Sequence, residues 1–351
     1  MMAVNASTLN PEQTLMFQEA ASAHEVVARQ FSANAERVTE AVKQIRAFDP
    51  AAVVTMARGS SDHAATYAKY LIETRTGTLT SSASPSVSSV YGAAQRLKGV
   101  LYIAISQSGK SPDLLAGVEK AKAAGALTLA FVNVEDSPLA TLADLVIPLH
   151  AGPEKSVAAT KSYIATLSAV LHLVSEWSGD ELLGAALKQL PASLKQAWQC
   201  DWSKAVDALK SANNLFVIGR GMGFGIAQEA ALKFKETCGL HAEAFSSAEV
   251  KHGPMAIVKS GFPVLMLSQQ DETYSGFSDL IKEFQARDAQ VLVASEKSYG
   301  NANLPVVHGA HPAIAPLLAV QSFYRMANAL SVARGYNPDE PPHLRKVTET
   351  L

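Results

Sequence analysis

Cysteine is scarce in this chain of 351 residues, which contains only Cys200 and Cys238. Two cysteines without a Cys-x-x-Cys spacing argue against a disulfide framework and against a thiolate metal site. The first residues, Met1–Leu15, lack a basic region followed by an apolar stretch, so no secretory signal is expected. This combination is typical of a reducing compartment, and we expect a cytoplasmic protein.

Long apolar runs and an excess of one charge are also missing. The chain has no run of about 18 apolar residues, which excludes a typical membrane span. Its formal net charge of −2 gives no electrostatic footprint for nucleic acid or for an anionic membrane, so neither is expected as a partner. With 48% hydrophobic and 18% charged residues, the chain has the composition of a globular protein, and its length of 351 residues suggests two domains.

A hydroxyl-rich turn, Ser106-Gln107-Ser108-Gly109-Lys110-Ser111, directly follows the apolar run Val100–Ile105. Hydroxyls can donate hydrogen bonds to phosphate oxygens, and Gly109 lets the backbone approach an anion closely. The stretch Asp113–Ala124 has helical spacing, so its first N–H groups would point towards the same anion. An ordinary polar loop is the alternative, and it would be preferred if the turn stood alone.

Two halves of the chain can be superimposed as sequences. Arg58-Gly59 and Arg220-Gly221 lie 162 residues apart, as do Ser106-Gln107 and Ser268-Gln269. A third pair of anchors, Glu73-Thr74 and Glu236-Thr237, matches at 163 residues. Three separate anchors indicate an internal duplication.

Each half alternates apolar strand-like runs with helical stretches, which predicts a parallel sheet covered on both faces. Helical arms are expected before the first sheet, and a linker is expected near Leu190–Trp202. The glycine spacing at Gly221-Met222-Gly223-Phe224-Gly225 does not fit the dinucleotide pattern, and we exclude NAD binding.

The helical stretch from Glu229 to Glu236 carries charges on one face, because Glu229, Lys233 and Glu236 follow each other at steps of four and three. A solvated salt-bridged face is the simplest interpretation, but the apolar residues between them favour a polar cleft. The segment His241–Pro254 mixes Glu, Ser, Lys and His before Gly253-Pro254. It lacks the spacing of a helical histidine pair, so no metal site is expected.

On these motifs, and on the tail Pro341–Thr350, the chain resembles the sugar isomerase (SIS) family in its double-domain form. The resemblance is to the isomerase half of glucosamine-6-phosphate synthase and, more closely, to the stand-alone SIS-type deaminases. It implies an α/β fold of two tandem SIS domains, each a parallel sheet in a three-layer α/β/α arrangement. The implied parts are a helical arm (1–47), a first domain (48–195), a second domain (196–340) and a tail that closes the active site (341–351).

The resemblance also implies roles for single residues. Glu236 would be the general base that moves a proton between C1 and C2 of the sugar, and Lys233 would assist it. His252 would assist ring opening, from the neighbouring subunit of a homodimer, and Lys346 would close over the C1–C2 end of the sugar. The implied phosphate-binding residues are Ser61, Ser106, Gln107, Ser108 and Ser111. Further substrate contacts are expected from Arg58, Ser60, Val157 and Glu229, and the pocket-lining loop would include Ala158, Thr160 and Lys161.

The sequence also departs from the synthase pattern. The synthase uses a cysteine nucleophile at its mature start to hydrolyse glutamine, whereas this sequence has no cysteine before Cys200. The turn Arg58-Gly59-Ser60-Ser61-Asp62-His63 resembles that of the stand-alone deaminases, and Lys155-Ser156 also differs from the synthase.

We therefore expect a glucosamine-6-phosphate deaminase without metal or organic cofactor. A glutamine-independent synthase-like enzyme stays open, as does an isomerase or deglycase for another phosphosugar, such as galactosamine 6-phosphate or a sugar–amino-acid phosphate. A sugar-phosphate sensor is the non-enzymatic alternative, and it would need the phosphate turn but not Glu236, His252 or Lys346. In a third interpretation, the charged residues form ion pairs between subunits.

Overall fold

A computed structural model describes residues 9–346 of the chain. The strands are β1 (Ala52–Met56), β2 (Thr80–Ser82), β3 (Val100–Ser106), β4 (Leu127–Val132), β5 (Leu145–Pro148), β6 (Asn214–Gly219), β7 (His241–Ser246), β8 (Pro263–Leu267), β9 (Gln290–Ala294) and β10 (Asn303–Leu304). The helices up to the middle of the chain are α1 (Leu15–Ala21), α2 (Ala23–Phe48), α3 (Ser60–Thr76), α4 (Pro85–Ser89), α5 (Pro112–Ala123), α6 (Pro138–Leu142) and α7 (Lys161–Ser178). The remaining helices are α8 (Glu181–Leu187), α9 (Leu190–Ala197), α10 (Ser203–Leu209), α11 (Met222–Cys238), α12 (Tyr274–Gln285) and α13 (Ala315–Ala333).

The chain divides into two compact units. The N-terminal unit contains residues 25–154 and 162–188, and the C-terminal unit contains residues 9–24, 155–161 and 189–346. The predicted helical arm is thus shared, because α1 belongs to the C-terminal unit while most of α2 belongs to the N-terminal unit. Residues 1–8 lie outside the described residues; they include part of the predicted arm and part of the stretch in which no secretory signal is expected. Residues 347–351 of the predicted tail also lie outside the described residues.

The sheet of the N-terminal unit has the strand order β2-β1-β3-β4-β5, and all its neighbouring strands are parallel. Strand β3 is apolar and buried almost throughout, as expected for a central strand with helices on both faces. Side chains of α5 such as Val118 and Ala121 pack against Met56 and Tyr102 from the sheet. The chain leaves β1 towards β2 on one side and continues with β3 on the other, so the topological switch point lies between β1 and β3.

The sheet of the C-terminal unit repeats this arrangement with the order β10-β9-β8-β6-β7, again parallel throughout. Its core contains an aromatic cluster in which Phe216 contacts both Phe245 and Phe262 edge-on, with centroid distances of 5.0 and 4.8 Å. The predicted α/β fold, with two parallel sheets flanked by helices, is confirmed. No helix in residues 9–346 is long and apolar enough to cross a bilayer.

The internal duplication extends to the register of the strands. Val53 pairs with Thr80 in the first sheet, and Leu215 pairs with Ala242 in the second, a shift of 162 residues for both partners. The helices that follow have matching ends as well. Gly59 and Gly221 are the N-caps of α3 and α11 with φ of 55° and 53°, and left-handed glycines end both helices. The duplication predicted from three sequence anchors is therefore a duplication of backbone structure.

The third sequence anchor, which aligns Glu73-Thr74 with Glu236-Thr237, is misaligned by one residue. Helices α3 and α11 both contain 17 residues, so the shift of 162 holds from cap to cap. Thr74, and not Glu73, therefore stands at the position of Glu236, and Glu73 stands at the position of Lys235. The pair Glu-Thr occurs in both helices, but its two copies occupy different positions on them.

Two edge strands, β2 and β7, lack the apolar runs from which the sequence predicts strands. Strand β7 lies at the edge of its sheet and is mostly exposed or half-buried, which explains why its sequence mixes charged and apolar residues. The predicted linker also contains a packed element, because Leu190, Leu194 and Ala197 of α9 are buried.

Candidate functional site

The two predicted phosphate-binding turns lie next to each other in the N-terminal unit. Ser60 and Ser61 begin α3 after β1, and Ser106 is the last residue of β3. Since β1 and β3 are neighbours, with Met56 paired to Ala104, both turns leave the carboxyl edge of the sheet at its switch point. Ligands of open parallel sheets bind at such points.

The turn 106–111 is ordered by its own hydroxyls. The Ser106 Oγ accepts a hydrogen bond from the Gly109 N–H at 3.0 Å, and the Ser108 Oγ accepts one from the Lys110 N–H at 3.4 Å. Each hydroxyl keeps its own proton for donation. Ser111 is the N-cap residue of α5, and its hydroxyl makes no capping hydrogen bond. Hydroxyl groups are therefore the donors that this turn offers to an anion.

Gly109 is required where it stands. Its φ is +64°, and a Cβ atom there would lie 2.2 Å from the Ser137 Oγ and 2.9 Å from Val132. Ser137 is buried and caps α6. The close approach holds the turn against the end of the neighbouring strand β4.

Arg58, which was predicted as a phosphate contact, has a protein partner that the sequence did not indicate. Its Nε and Nη2 atoms lie 2.8 and 2.7 Å from the Oδ2 of Asp113, which is fully buried in the first turn of α5. The Asp113 Oδ1 also accepts the Leu114 N–H at 2.8 Å. The guanidinium is about half exposed and has five N–H donors, so it can face a phosphate while paired with Asp113.

Asp62, in the first turn of α3, places a second carboxyl group near Arg58. Burial raises the pKa of Asp62, while His63, Arg58 and a hydrogen bond with Ser82 oppose the shift.

In the C-terminal unit, the charged face of α11 is buried. Lys233 lies 3.2 Å from the Glu229 Oε1 and 2.6 Å from the Glu236 Oε2. Glu229 and Lys233 are almost completely inaccessible, and the Tyr324 hydroxyl from α13 donates to the Glu229 Oε1 at 2.9 Å. The solvated-face interpretation is therefore wrong for these residues.

The two carboxylates keep the buried lysine charged. Burial by itself would lower the pKa of Lys233, but Glu229 and Glu236 more than offset it and hold the pKa above its ordinary value. A buried charge is costly unless it is paired, and here one ammonium is shared by two carboxylates.

Glu236 differs from the other two because it reaches solvent. Its side chain is 23% exposed, and it lines a cavity of about 530 Å³. The other lining residues are Leu232, Lys235, Gly239, Tyr336, Pro342 and Leu344. The first residues of the predicted tail thus face the same cavity as the predicted base.

Lys346 and Val157 are joined through the backbone of the segment 155–157. The Lys346 Nζ donates to the Ser156 carbonyl at 2.7 Å, and the Val157 N–H donates to the Asp339 carbonyl at 3.1 Å. Ala158, Thr160 and Lys161 follow on this segment as buried residues. The structure thus brings the predicted loop and the predicted tail together.

His252 is a surface residue of the C-terminal unit. It follows the 3-10 turn Glu249–Lys251, is exposed, and is absent from the residues that line the cavity at Glu236. Its role across a dimer stays a prediction. Within residues 9–346, no three His, Cys, Asp or Glu side chains cluster in a way that would hold a metal ion.

Sequence reasoning missed Asp113, Tyr324 and Glu19 of α1, which binds the segment 155–157. Asp113 sits in the first turn of a predicted helix, a place where an acidic residue is usually read as a helix stabiliser. Glu19 is separated from its partners by 136 or more residues, and no local pattern identifies such a contact.

Comparison with known proteins gives this arrangement a family. Residues 26–175 and 208–299 match the SIS domain. The chain belongs to the SIS domain family. It is 34% identical over 322 residues to glutamine–fructose-6-phosphate aminotransferase (isomerizing) of Symbiobacterium thermophilum, a match covering 86% of this chain and 52% of that protein. This SIS chain therefore spans about half the length of such relatives.

Solved structures agree with the family. A protein of Silicibacter pomeroyi, described as a candidate phosphosugar isomerase, is 42% identical with a TM-score of 0.89, covering 93% of this chain and all of that one. A glucosamine-6-phosphate deaminase of Thermotoga maritima has a TM-score of 0.77 at 22% identity, covering 96% of this chain and all of that one, which shows a shared fold. The membership indicates an enzyme of the phosphosugar isomerase type.

Proposed function

We propose that the protein is a glucosamine-6-phosphate deaminase, which converts D-glucosamine 6-phosphate and water to D-fructose 6-phosphate and ammonia. After ring opening, a base removes the proton from C2 and a proton is delivered to C1. The C2–N bond becomes an imine, water adds to C2, and the C–N bond breaks to release ammonia. The reaction needs one proton-transferring group near C1 and C2, and an anchor for the phosphate.

Glu236 is the proposed proton-transferring group, and its setting is the observation that carries the proposal. Glu229 is sealed in the interior, whereas Glu236 combines a 2.6 Å contact with Lys233 and exposure to a cavity of about 530 Å³. A carboxylate that is fixed by a buried cation but open to a cavity can exchange protons with a ligand. This difference favours Glu236 over Glu229 as the base.

The phosphate is assigned to the switch point of the N-terminal unit. The hydroxyls of Ser61, Ser106, Ser108 and Ser111 and the amide of Gln107 supply donors, and Arg58 and Ser60 stand beside them. Arg58 adds positive charge beyond its pairing with Asp113. His252 is assigned to ring opening and Lys346 to the C1–C2 end of the sugar, as in the proteins that the chain resembles.

Formation of glucosamine 6-phosphate is a second candidate, because relatives near one third identity are named glutamine–fructose-6-phosphate aminotransferases. The proton transfer between C1 and C2 is common to both directions. We favour the deaminase because the turn 58–63 resembles that of stand-alone deaminases.

The test is to measure ammonia and fructose 6-phosphate from purified protein given glucosamine 6-phosphate, beside a Glu236→Gln variant. We expect equimolar products, and a loss of about 100-fold or more in kcat for the variant, since general base catalysis contributes factors of this size. Lys235→Gln, on the exposed side of the same cavity, is the matched control and should retain turnover.

Absence of products from a folded protein that binds fructose 6-phosphate would contradict the deaminase. Galactosamine 6-phosphate and sugar–amino-acid phosphates would then be tested as substrates. A Glu236→Gln variant that keeps its activity would contradict the assignment of the base.

A further inference from the structure

The short helix α1 is held in a fixed place on the C-terminal unit. Seven residues are too few for a helix to be stable alone, so its position depends on tertiary contacts. Met16 and Ala20 are buried, and two polar contacts fasten the helix to α13. The Thr14 Oγ1 donates to the Asn328 Oδ1 at 2.6 Å, and the Gln321 Nε2 donates to the Ala20 carbonyl at 3.0 Å.

From this helix, the buried carboxylate of Glu19 binds the backbone of the segment 155–157. Its Oε1 accepts the Lys155 N–H, and its Oε2 accepts the Ser156 N–H at 3.2 Å. A carboxylate that accepts two backbone N–H groups fixes the position and orientation of a peptide more firmly than a neutral acceptor would.

Ser156 links Glu19 to the tail. Its N–H is bound by Glu19, and its carbonyl accepts the Lys346 Nζ at 2.7 Å. The peptide groups on the two sides of one residue thus connect an N-terminal helix with a lysine near the other end of the chain. The Ser156 hydroxyl has no hydrogen-bond partner among the described residues, so Ser156 acts here through its backbone.

Asp339 closes the connection from the other side. Its carboxylate accepts the N–H groups of Leu15 at 2.8 Å and Met16 at 2.7 Å, at the start of α1. Its own carbonyl accepts the Val157 N–H at 3.1 Å. Helix α1, the segment 155–157 and Asp339, which lies just before the tail, therefore form a closed ring of hydrogen bonds.

We propose that Glu19 and Asp339 are positioning residues, which use α1 as a rigid spacer to hold Lys346 where it serves the sugar. The proposal rests on the proposed function only for the task given to Lys346. Neither carboxylate is assigned to touch the substrate. The Glu19 carboxylate acts through the backbone of residues 155 and 156, and the Asp339 carboxylate acts through the backbone at the start of α1.

The first experiment reads the position of Lys346 without any substrate. A Glu19→Gln variant has one carbonyl oxygen for two N–H donors and turns an NH₂ group towards one of them, so the segment 155–157 should loosen. We expect acetylation of the Lys346 amine, followed by mass spectrometry, to become about tenfold faster, in line with the loss of a hydrogen bond to a charged group. Lys43, which is largely exposed, serves as the internal reference.

Two further variants make the result specific. Glu12→Gln changes an exposed glutamate just before α1 and should leave the labelling of Lys346 unchanged. Asp339→Asn loosens the ring at its other side, leaves Glu19 intact, and should also expose Lys346 if the ring acts as a unit. This variant also serves as the test if Glu19→Gln does not fold.

Turnover separates positioning from general weakening of the fold. On glucosamine 6-phosphate, Glu19→Gln should lower kcat about tenfold, and in a Lys346→Ala background it should lower kcat no further. A loss that adds fully to that of Lys346→Ala would overturn the positioning role.

Failure of this inference can be told apart from failure of the proposed function. Unchanged labelling of Lys346 in both Glu19→Gln and Asp339→Asn overturns the positioning role, whatever the activity. Faster labelling in both variants, from a protein that turns over no amino-sugar phosphate, supports the positioning and contradicts the deaminase.

Discussion

The two copies of the duplicated turn lie between equivalent strands and helices but differ in chemistry. Their backbones also differ, because the N-cap residue Ser111 is extended and its counterpart Thr273 is helical. Residues 106–111 follow β3 and lead into α5, and residues 268–273 follow β8 and lead into α12, with a shift of 162 residues at every position. In the second copy, Gln270 replaces Ser108, Asp271 replaces Gly109 and Glu272 replaces Lys110. A phosphate would therefore meet two carboxylates at the second turn.

In the second turn, Asp271 binds other groups of the turn itself. The Asp271 Oδ1 accepts the Thr273 N–H at 2.9 Å and the Thr273 hydroxyl at 2.6 Å, and its Oδ2 accepts the Gln269 side chain. The two turns thus have equivalent places in the duplicated fold, and only the first combines hydroxyl donors with a glycine at a positive φ, as the proposed phosphate site requires.

The helices after the first strands show the reverse distribution. Helix α11 carries Glu229, Lys233 and Glu236, and the same positions of α3 carry Tyr67, Leu71 and Thr74. Tyr67 and Leu71 are fully buried, as are Glu229 and Lys233, so an apolar pair in one copy corresponds to an ion pair in the other. Because buried ion pairs rarely stabilise more than apolar residues, the pair in α11 points to function.

The largest expected effect, on stability, comes from replacing Lys233 of α11 with leucine, the residue at the same position of α3. Lys233→Leu leaves Glu229 buried without its ammonium, and we expect a loss of about 3–5 kcal/mol in the free energy of unfolding. Urea denaturation measures it. Adding Glu229→Leu should restore a large part of this stability but no turnover, whereas a single variant as stable as the unaltered protein would contradict the account.

Next in size is the exchange of Gly109 for aspartate, the residue of the second turn. Gly109→Asp places a Cβ near Ser137 and a carboxylate in the proposed phosphate site, so we expect about 100-fold weaker binding of fructose 6-phosphate by calorimetry. Gly109→Ala shares the strain without the charge and should lose less affinity. Asp271→Gly should cost about 1 kcal/mol of stability, because Thr273 loses the hydrogen bonds that Asp271 accepts, and should leave affinity unchanged.

Alkaline pH should reduce the stability that the Lys233 charge of α11 contributes, whereas the apolar residues at the same positions of α3 do not titrate in this way. Since the pKa of Lys233 in the folded protein is raised above 10.5, its charge contributes stability fully below about pH 10.5. That contribution is lost as the pH rises through the higher pKa of the folded state. Thermal unfolding should therefore show the unaltered protein losing stability faster above this pH than Glu229→Leu/Lys233→Leu.

Tyr102 also affects stability at alkaline pH, in the unaltered protein and in Glu229→Leu/Lys233→Leu alike. Burial raises the pKa of Tyr102 to about 12, so this group also destabilises the fold at alkaline pH, but it does so equally in both proteins. Parallel loss of stability in the two proteins would contradict the role given to Lys233.

The smallest effect is expected from Lys110→Glu, which copies Glu272 of the second turn. Lys110 is exposed, so its attraction to a phosphate is screened, and we expect fructose 6-phosphate to bind about threefold to fivefold more weakly. The difference should shrink at high salt. The reciprocal Glu272→Lys variant should leave binding unchanged, and a gain of a second binding site there would contradict the comparison of the turns.

Local patterns in the sequence were sufficient for the central strands, the turns and the spacing of the charged residues of α11, but not for the edge strands β2 and β7. Apolar runs set β3 and β8, and steps of four and three residues put Glu229, Lys233 and Glu236 within contact distance. The pattern could not tell whether that face is buried, because burial depends on α13 supplying Tyr324. It also misaligned Glu73 with Glu236, since a shared Glu-Thr pair resembles an anchor whether or not the helix ends agree.

The sequence by itself determined the duplicated α/β architecture and the carboxyl-edge turns, because hydrophobic periodicity and glycine positions act over a few residues. Only the tertiary structure decided which charged groups meet. Arg58 finds Asp113 across 55 residues, and Glu19 finds Ser156 across 137, because parallel strands and a docked helix bring distant segments together. Side chains with many acceptable partners are matched by packing, which no local pattern records.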